Sequence, residues 1–395
     1  MTVPAAPTVV TGSRLTTVGI SSDRRIVEML DQIFQYDANA TPTLAVLSKR
    51  APQAVSGNPK YNHLEDQPLP VKTTITASYS AGTETAIAVA TGTGKYFRAN
   101  DVVLFPTAAS ATGAGEIVLV SSVSTDTLTV VRQYNGDQTT GGAVVSGDMI
   151  QIIGNLNAEF AGARTVKTTT EATKTNYLQI VRTPYSVSNT LEASNLYGGN
   201  DLTYQRQKFA TQHALELERT VLFGKKSENT TTAVRTTDGF LSMVSSNSVN
   251  ANGTLTWPTV ETLFEKVFRY GSPNKLLMVS RKIASQLDQI AEGRIVTNTG
   301  ETAYGVAIGR LTTAHGNLMT CVNDQLVDNF AGFALCVDLE NIKLRYAHGR
   351  DGNRLGMLRT NIQANDADGI EEEYLSEVGL QLMLEAAHGY IYGIS

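Results

Sequence analysis

The residue types that most often carry chemistry are few in this 395-residue chain and stand far apart. The histidines form neither an HExxH pattern nor a His-x-His pair, so their spacing predicts no zinc site. They are His63, His213, His315, His348 and His388. Cys321 and Cys336 lie in apolar, strand-like runs without activating neighbours, and we expect buried thiols there. With no G-x-S-x-G either, we expect no catalytic, cofactor-binding or metal-binding residues.

The stretch ATGTGKY, residues 90–96, is similar to a phosphate-binding loop but lacks its essential positions. Val89 stands where the loop needs its first glycine, and Tyr96 follows Lys95 where a serine or threonine would bind magnesium. We therefore expect a β-turn without a nucleotide.

The stretch ANDADG, residues 364–369, is similar to a calcium loop in the same incomplete way. Ala364 occupies the first ligand position, and Leu375 stands where a bidentate glutamate is needed. This pattern favours a solvated acidic turn. The three glutamates at 371–373 are interpreted as a charged, solvent-facing surface.

Composition restricts the class of protein. The net charge is −5 with a sequence pI near 5.6, and the lysines and arginines are scattered, which argues against sequence-specific nucleic-acid binding. The length of 395 residues predicts about two to three domains, and the 42% hydrophobic content is ample for their cores. No apolar run approaches the roughly 20 residues of a membrane helix, and no export signal is recognised, so we expect folding in a cytoplasm. The lack of catalytic motifs predicts a protein that is not an enzyme.

One long helix, expected over residues 200–223, is the element around which the chain is organised. Asn200 or Asp201 can cap its start, and Gly224 can end it. Apolar residues recur at steps of four, three and four, which predicts one buried face. These residues are Ala210, Ala214, Leu217 and Val221.

The regions on either side of this helix differ in character. Residues 1–20 have no periodicity and are predicted to be an extended arm, followed by an amphipathic helix from Ser22. Two polar, threonine-rich segments, residues 58–78 and 164–191, are interpreted as the legs of an extended excursion. Short strand patterns between the legs predict a small barrel or sandwich. Alternating helices and strands after the long helix predict an α+β fold.

This order of parts resembles the major capsid proteins of tailed bacteriophages with the Hong Kong 97-type fold. The local amino-acid sequence is similar to that of a phage major-capsid subfamily in four places. These are the Thr41-Pro42-x-Leu44 motif, residues 61–66, YQRQKFATQHALELERTVLFGKKSE at 204–228, and RTTDGFLSMV at 235–244. The β module is an addition to the minimal fold, and it leaves open whether a separate decoration protein binds.

The resemblance implies a division of the chain into the parts of that fold. These are an N-arm (1–40), the P-domain start (41–55), E-loop legs (56–77 and 155–182), an inserted β domain (78–154), the P-domain with its spine helix (183–245), an A-domain (246–349) and a P-domain return with a C-terminal strand (350–395).

The function implied by the resemblance is that of a major head protein, which self-assembles into hexamers and pentamers of an icosahedral virion shell around double-stranded DNA. It further implies a scaffolding protein and a portal as partners, and no membrane. Charged residues on and near the legs become candidates for contacts between subunits. They are Glu65, Asp66, Lys72, Lys167, Lys174 and Arg182.

A second class stays open at this point. The threonine- and glycine-rich β module is also typical of an extracellular adhesin or a carbohydrate-binding protein. The lack of a recognised export signal argues against this alternative.

Overall fold

The computed structural model describes residues 43–44, 47, 53–80, 84–106, 115–134, 142–194, 200–291, 298–303, 306–313, 315–323, 326, 332–350 and 352–394. The expected N-arm and the helix from Ser22 lie outside these residues. The chain forms two compact units, one containing Met1–His63 with Thr175–Ser395 and the other Leu64–Lys174.

The helices of the described residues are few, and strands dominate. The α-helices are α1 (Asn189–Glu192), α2 (Asp201–Phe223), α3 (Phe240–Met243), α4 (Trp257–Val267) and α5 (Arg281–Ala291). Short 3-10 helices cover Gly94–Tyr96 and Glu385–Ala387. Thr43, Leu44 and Leu47 are also helical.

The strands follow one another through both units. They are β1 (Gln53–Ser56), β2 (Lys60–Glu65), β3 (Lys72–Thr74), β4 (Ala86–Ala88), β5 (Asp101–Phe105), β6 (Glu116–Ser124), β7 (Thr127–Val131), β8 (Met149–Asn155), β9 (Ala172–Tyr177), β10 (Gln179–Ser188), β11 (Ser227–Asn229), β12 (Val234–Thr236), β13 (Ser248–Gly253), β14 (Asn274–Val279), β15 (Asn298–Ala303), β16 (Val306–Thr312), β17 (Asn317–Val322), β18 (Ala334–Val337), β19 (Ile342–Gly349), β20 (Gly352–Asn353), β21 (Met357–Arg359), β22 (Gly369–Leu382) and β23 (Gly389–Ile394).

The long helix α2, called the spine helix below, has the bounds that its sequence predicts. The Oδ1 of Asn200 accepts the backbone N–H of Thr203 at 3.0 Å and caps the start. At the other end, a Cβ on Gly224 would lie 2.5 Å from the carbonyl oxygen of Thr220 and 2.6 Å from that of Thr237. Only glycine permits this close approach, so the predicted stop is confirmed and has a steric cause.

The spine helix packs on a sheet whose main strand order is β1-β19-β22-β10. The long strand β22 runs antiparallel to both β10 and β19, while β1 joins β19 in parallel. Leu217 of the helix packs in one cluster with Val378 of β22 and Tyr346 of β19. One face of the sheet is therefore covered by the helix.

A second sheet of the same unit has the order β13-β23-β18-β14-β17-β16-β15 and mixes parallel with antiparallel pairs. Helices α4 and α5 contribute Val260, Leu263, Phe264, Val267, Ile283 and Leu287 to an apolar cluster with β14 and β18. A further cluster joins the end of the spine helix, through Val221 and Leu222, to both sheets. The predicted α+β class is confirmed.

The unit Leu64–Lys174 is built on a six-stranded sheet with the order β3-β8-β5-β6-β7-β4. A bridge between Ile75 and Val89 joins the two outer strands, with Thr76 N–H donating to the Ala88 carbonyl at 3.0 Å. The sheet is thereby closed into a barrel around its own apolar core, which includes Phe97 and Phe105.

The observed unit is longer than the module expected from the sequence. The barrel already includes β3, which lies in the leg expected over residues 56–77. Strands β2 and β9 pair with each other and connect this unit to the remainder of the chain. The division into capsid domains stays a prediction.

Candidate functional site

A charged contact attaches the spine helix to the sheet. The guanidinium of Arg206 donates two hydrogen bonds to Glu372 on β22, Nε to Oε2 at 2.7 Å and Nη2 to Oε1 at 2.5 Å. The hydroxyl of Tyr185 on β10 donates to the same carboxylate, and its ring stacks on Phe209 with centroids 5.1 Å apart. The hydrogen bonds from Arg206 lower the pKa of Glu372, and burial raises the pKa of Tyr185. Both oxygens of the Glu372 carboxylate therefore accept hydrogen bonds from residues of the same chain.

About two turns beyond Arg206 on the helix, His213 is the centre of a buried hydrogen-bond chain. The Thr183 hydroxyl donates to Glu216 at 2.8 Å and lies 2.8 Å from His213 Nδ1. Because its proton is directed to Glu216, it accepts from Nδ1–H, and His213 Nε2 accepts the Ser376 hydroxyl at 2.7 Å. The Ser376 oxygen in turn accepts the Gly356 N–H at 2.8 Å. Burial lowers the pKa of His213, which favours this neutral arrangement.

A serine hydroxyl on a histidine nitrogen is also the pairing of a nucleophilic site, so the accessibility of the pair is decisive. Ser376 is 0% exposed and His213 is 3% exposed. Ser376 lies within the central strand β22, where a substrate carbonyl has no approach. This pair joins helix to sheet and does not form a catalytic centre.

A third polar contact of the spine helix is made by Glu218, which is 0% exposed. Its carboxylate accepts the backbone N–H groups of Thr43 at 3.0 Å and Leu44 at 2.6 Å, and the Asn323 amide at 2.8 Å. Burial raises the pKa of Glu218. The contact connects three segments that are far apart in sequence.

The interpretation of residues 371–373 as a solvent-facing charged surface is wrong for two of the three glutamates. Glu372 is 1% and Glu373 is 6% exposed. At Glu373 strand β22 lies between β10 and β21, and its alternate side chains face the helix and the opposite side of the sheet. On that opposite side Arg359 Nη1 lies 3.0 Å and Arg182 Nε 3.9 Å from the Glu373 carboxylate.

A fully buried ion pair joins Lys275 of β14 to Asp338, which directly follows β18. The Nζ of Lys275 is 3.3 Å from Asp338 Oδ2 and donates to the carbonyl oxygens of Tyr270 and Ala387, each at 3.0 Å. The three ammonium hydrogens thus have three acceptors. Despite its burial, the pKa of Asp338 is lowered, because it accepts several hydrogen bonds, including the N–H of Ser272 at 2.7 Å.

His388 packs beside this ion pair and uses both ring nitrogens. Nδ1 accepts the Asp338 N–H at 3.2 Å, and Nε2 donates to the Met383 carbonyl at 3.1 Å. Burial lowers the pKa of His388 to about 4. The ring is therefore neutral at physiological pH.

The two incomplete binding motifs both form hydrogen bonds with other residues of the same chain. The Asp126 carboxylate accepts the N–H of Gly92 at 2.9 Å and that of Gly94 at 3.1 Å, and these bonds lower its pKa. The ATGTGKY turn thus holds an anion, but the anion is its own aspartate. In the ANDADG turn, Asp368 accepts the Asn189 amide at 2.5 Å. Within the described residues there is no group of three or more His, Cys, Asp and Glu that could hold a metal.

The residues predicted to contact other subunits differ in their surroundings. The Lys167 ammonium donates to the carbonyl oxygens of Lys95, at 2.6 Å, and of Phe97, so it pins the return leg to the barrel. The Asp66 carboxylate accepts the Thr169 hydroxyl at 2.9 Å and joins the two legs. Exposed at the surface are Asp66, Lys72, Lys174 and Arg182, and Glu65 is half-buried.

On the spine helix, Leu217 and Val221 are buried, and Ala210 and Ala214 are half-buried. Sequence reasoning did not single out His213 and Glu218, which carry the polar contacts. A signal for His213 was available, because it stands four residues before Leu217 and thus on the same helical stripe.

No helix among the described residues is both long and apolar enough to cross a membrane.

Comparison with known families decides the class of the protein. A family model described as the SU10 major capsid protein matches residues 9–395. The chain belongs to the SU10 major capsid protein family. The resemblance of the spine-helix sequence to major capsid proteins is thereby confirmed, and this chain is a major capsid protein. No curated protein matches it.

Solved structures that are similar to this chain have low sequence identity to it. The capsid of an empty GTA particle is 11% identical, with 98% of this chain and 100% of that chain covered and a TM-score of 0.51. A chain in the structure of Mycobacterium phage Bobi is 9% identical in sequence, with 96% of this chain and 99% of that chain covered and a TM-score of 0.48. Microbacterium phage Oxtober96 is 10% identical, with coverages of 97% and 99% and a TM-score of 0.48. The first of these shows a shared capsid fold.

Proposed function

We propose that copies of this chain form hexamers and pentamers and close an icosahedral shell around double-stranded DNA. The observation that carries the proposal is the match of the major capsid family over residues 9–395. The role is mechanical, and the chain needs no enzymatic activity for it. Assembly takes place in the host cytoplasm, with a scaffolding protein and a portal as partners.

The distribution of charge supports a wall that does not bind its contents tightly. The net charge is −5, and the buried carboxylates Glu372 and Glu373 are compensated by arginines of the same chain. A net acidic shell does not attract phosphates, so the DNA is enclosed without being held by sequence-specific contacts.

The two legs are proposed to contact neighbouring subunits. Asp66, Lys72, Lys174 and Arg182 present charge at the surface, and Glu65 is half-buried beside them in sequence. Lys167 supports this surface from inside, because its ammonium fixes the return leg to the barrel. A shell repeats each such contact once per copy, so contacts that are individually weak add up.

Electron microscopy of the purified chain tests the proposal. Closed shells, hexameric rings or curved sheets are expected. Monodisperse monomers at every protein and salt concentration, with or without co-expressed scaffolding protein, would contradict it. Binding of monomers to a glycan array would instead support the adhesin alternative.

A further inference from the structure

The aromatic ring of Phe160 stands entirely in solvent. Its relative exposure is 106%, and its backbone has a φ of 58°. The N–H of Ala161 donates to the Ala158 carbonyl at 3.1 Å and closes a turn with Phe160 near its tip. Bulky residues rarely adopt a positive φ, and aromatic side chains are usually buried. Both features are unexplained by packing within the described chain.

Apart from Glu159, the residues next to Phe160 in sequence are small. They are Ala158, Ala161, Gly162 and Ala163. Glu159 is the one other large side chain of this turn, so a partner surface that contacts the ring also lies next to an exposed carboxylate.

The turn is fixed to the barrel at both ends. Before it, the N–H of Leu156 donates to the Asn100 carbonyl at 2.9 Å. After it, the Arg164 guanidinium donates to the Ala99 carbonyl at 2.8 Å and to Asp101 at 2.7 Å. The ring is thus presented in a defined direction before any partner arrives, which reduces the entropy lost on binding.

Further exposed apolar side chains lie on the same legs, each next to a charged residue already proposed for subunit contacts. They are Leu64 at 66% exposure, Val71 at 46% and Val166 at 87%, beside Glu65, Lys72 and Lys167. Protein interfaces typically combine apolar anchors at the centre with a polar, solvent-accessible rim. The legs therefore carry exposed apolar side chains with charged sequence neighbours at several positions.

We propose that Phe160 is an anchor that inserts into an apolar pocket of a second copy of this chain during shell assembly. The inference rests on the proposed function and specifies how one leg makes its contact. A second copy is the partner because a shell surrounds each subunit with identical chains. An aromatic ring on a rigid turn also gives one fixed attachment point per copy.

A pair of variants separates this role from folding. Phe160→Asn removes the ring but keeps a residue that tolerates a positive φ. Its thermal unfolding should match the wild type, since the ring contributes no packing within the chain. The protein concentration needed for assembly, followed by light scattering and sedimentation, should rise roughly tenfold, the equivalent of about 1.4 kcal/mol. Val145→Asn, which also removes an exposed apolar side chain of the barrel unit, should assemble as the wild type does.

A photo-crosslinking amino acid in place of Phe160 identifies the partner. Shells assembled from a mixture of isotopically light and heavy chains should give mixed light–heavy cross-linked peptides after irradiation. Cross-links confined to one chain or to DNA, or unchanged assembly of Phe160→Asn, would overturn the inference. A wild-type chain that forms no assembly would contradict the proposed function itself, so the two failures are distinguishable.

Discussion

The carboxylate of Glu218, near the end of the spine helix, accepts the backbone N–H of Leu44 at 2.6 Å across 174 residues of sequence. The same side chain accepts the N–H of Thr43 and the amide of Asn323. A single acidic residue thus accepts hydrogen bonds from helical residues 43 and 44 and from Asn323, which directly follows β17. Removing it leaves three buried donors without their acceptor.

Glu218→Ala should lower the free energy of unfolding by about 1–3 kcal/mol, the usual cost of unsatisfied buried polar groups. Lys208→Ala, at an exposed position of the same helix, is the matched control and should change it by less than about 0.5 kcal/mol. Chemical denaturation of both variants measures the difference. Equal stability of the two variants would show that the Glu218 contacts are dispensable.

Two neighbouring glutamates provide a test of the helix-to-sheet contact. Glu372→Gln weakens both hydrogen bonds to Arg206, whose guanidinium is partly exposed, and should cost about 1–3 kcal/mol. Glu371→Gln, half-buried one position earlier, should be nearly neutral. Thermal melts of the two variants should differ by several degrees, and an identical melting temperature would contradict the assignment.

Acid should destabilise the protein through its buried histidines. The pKa of His388 is about 4 in the fold, against about 6.5 when unfolded, so the unfolded chain binds more protons between these values. Stability from this group is complete above about pH 6.5 and is lost as pH falls toward 4, by up to about 3 kcal/mol. Unfolding free energies at a series of pH values should decline over this window. His388→Gln should decline less, and a parallel curve would exclude His388 as a cause.

The barrel depends on a glycine in the former phosphate-loop candidate. A Cβ at Gly94 would lie 2.0 Å from the Thr125 carbonyl oxygen, whereas one at Gly154 meets nothing within 4 Å. Gly94→Ala should therefore destabilise the barrel by about 1–3 kcal/mol, and Gly154→Ala should not. Both changes are best measured in the fragment 64–174, which should give a cooperative melt and a strand-rich circular dichroism spectrum. A fragment without a melt would show that the barrel needs the rest of the chain.

Charge reversal on the outgoing leg tests the proposed subunit contacts. Glu65→Lys combined with Asp66→Lys should leave the chain folded and impair shell formation, more strongly at low salt, where repulsion is less screened. Because Asp66 also binds Thr169, the single change Thr169→Val controls for the lost link between the legs. Normal shells of the double variant at all salt concentrations would remove these charges from the interface.

The sequence predicted the spine helix well because its bounds depend on local chemistry. Asn200 caps by its own side chain, and Gly224 is needed for a close approach near the helix end. The presence of several short strands between the two legs was similarly predicted from local strand patterns. Local patterns sufficed wherever a residue interacts with its near neighbours in the chain.

The polar contacts were not predictable in this way, because their partners are distant. From the sequence Glu372 is interpreted as part of an acidic run. In the structure it accepts hydrogen bonds from Arg206 and Tyr185, which lie 166 and 187 residues earlier in the chain. From the sequence Lys167 is interpreted as a surface charge, whereas in the structure its ammonium donates to the carbonyl oxygen of Lys95. The strand pairing that brings such groups together is a property of the whole fold and has no local signature.

The bridge between Ile75 and Val89 bears on whether assembled particles aggregate in solution. A sheet left open at β3 and β4 would carry unsatisfied backbone groups that add strands from other molecules. Multiplied over a whole shell, such a defect would make every particle a multivalent adhesive. Pairing the two strands with each other keeps the barrel inert toward other barrels, so concentrated particles can remain a stable colloid and need not flocculate.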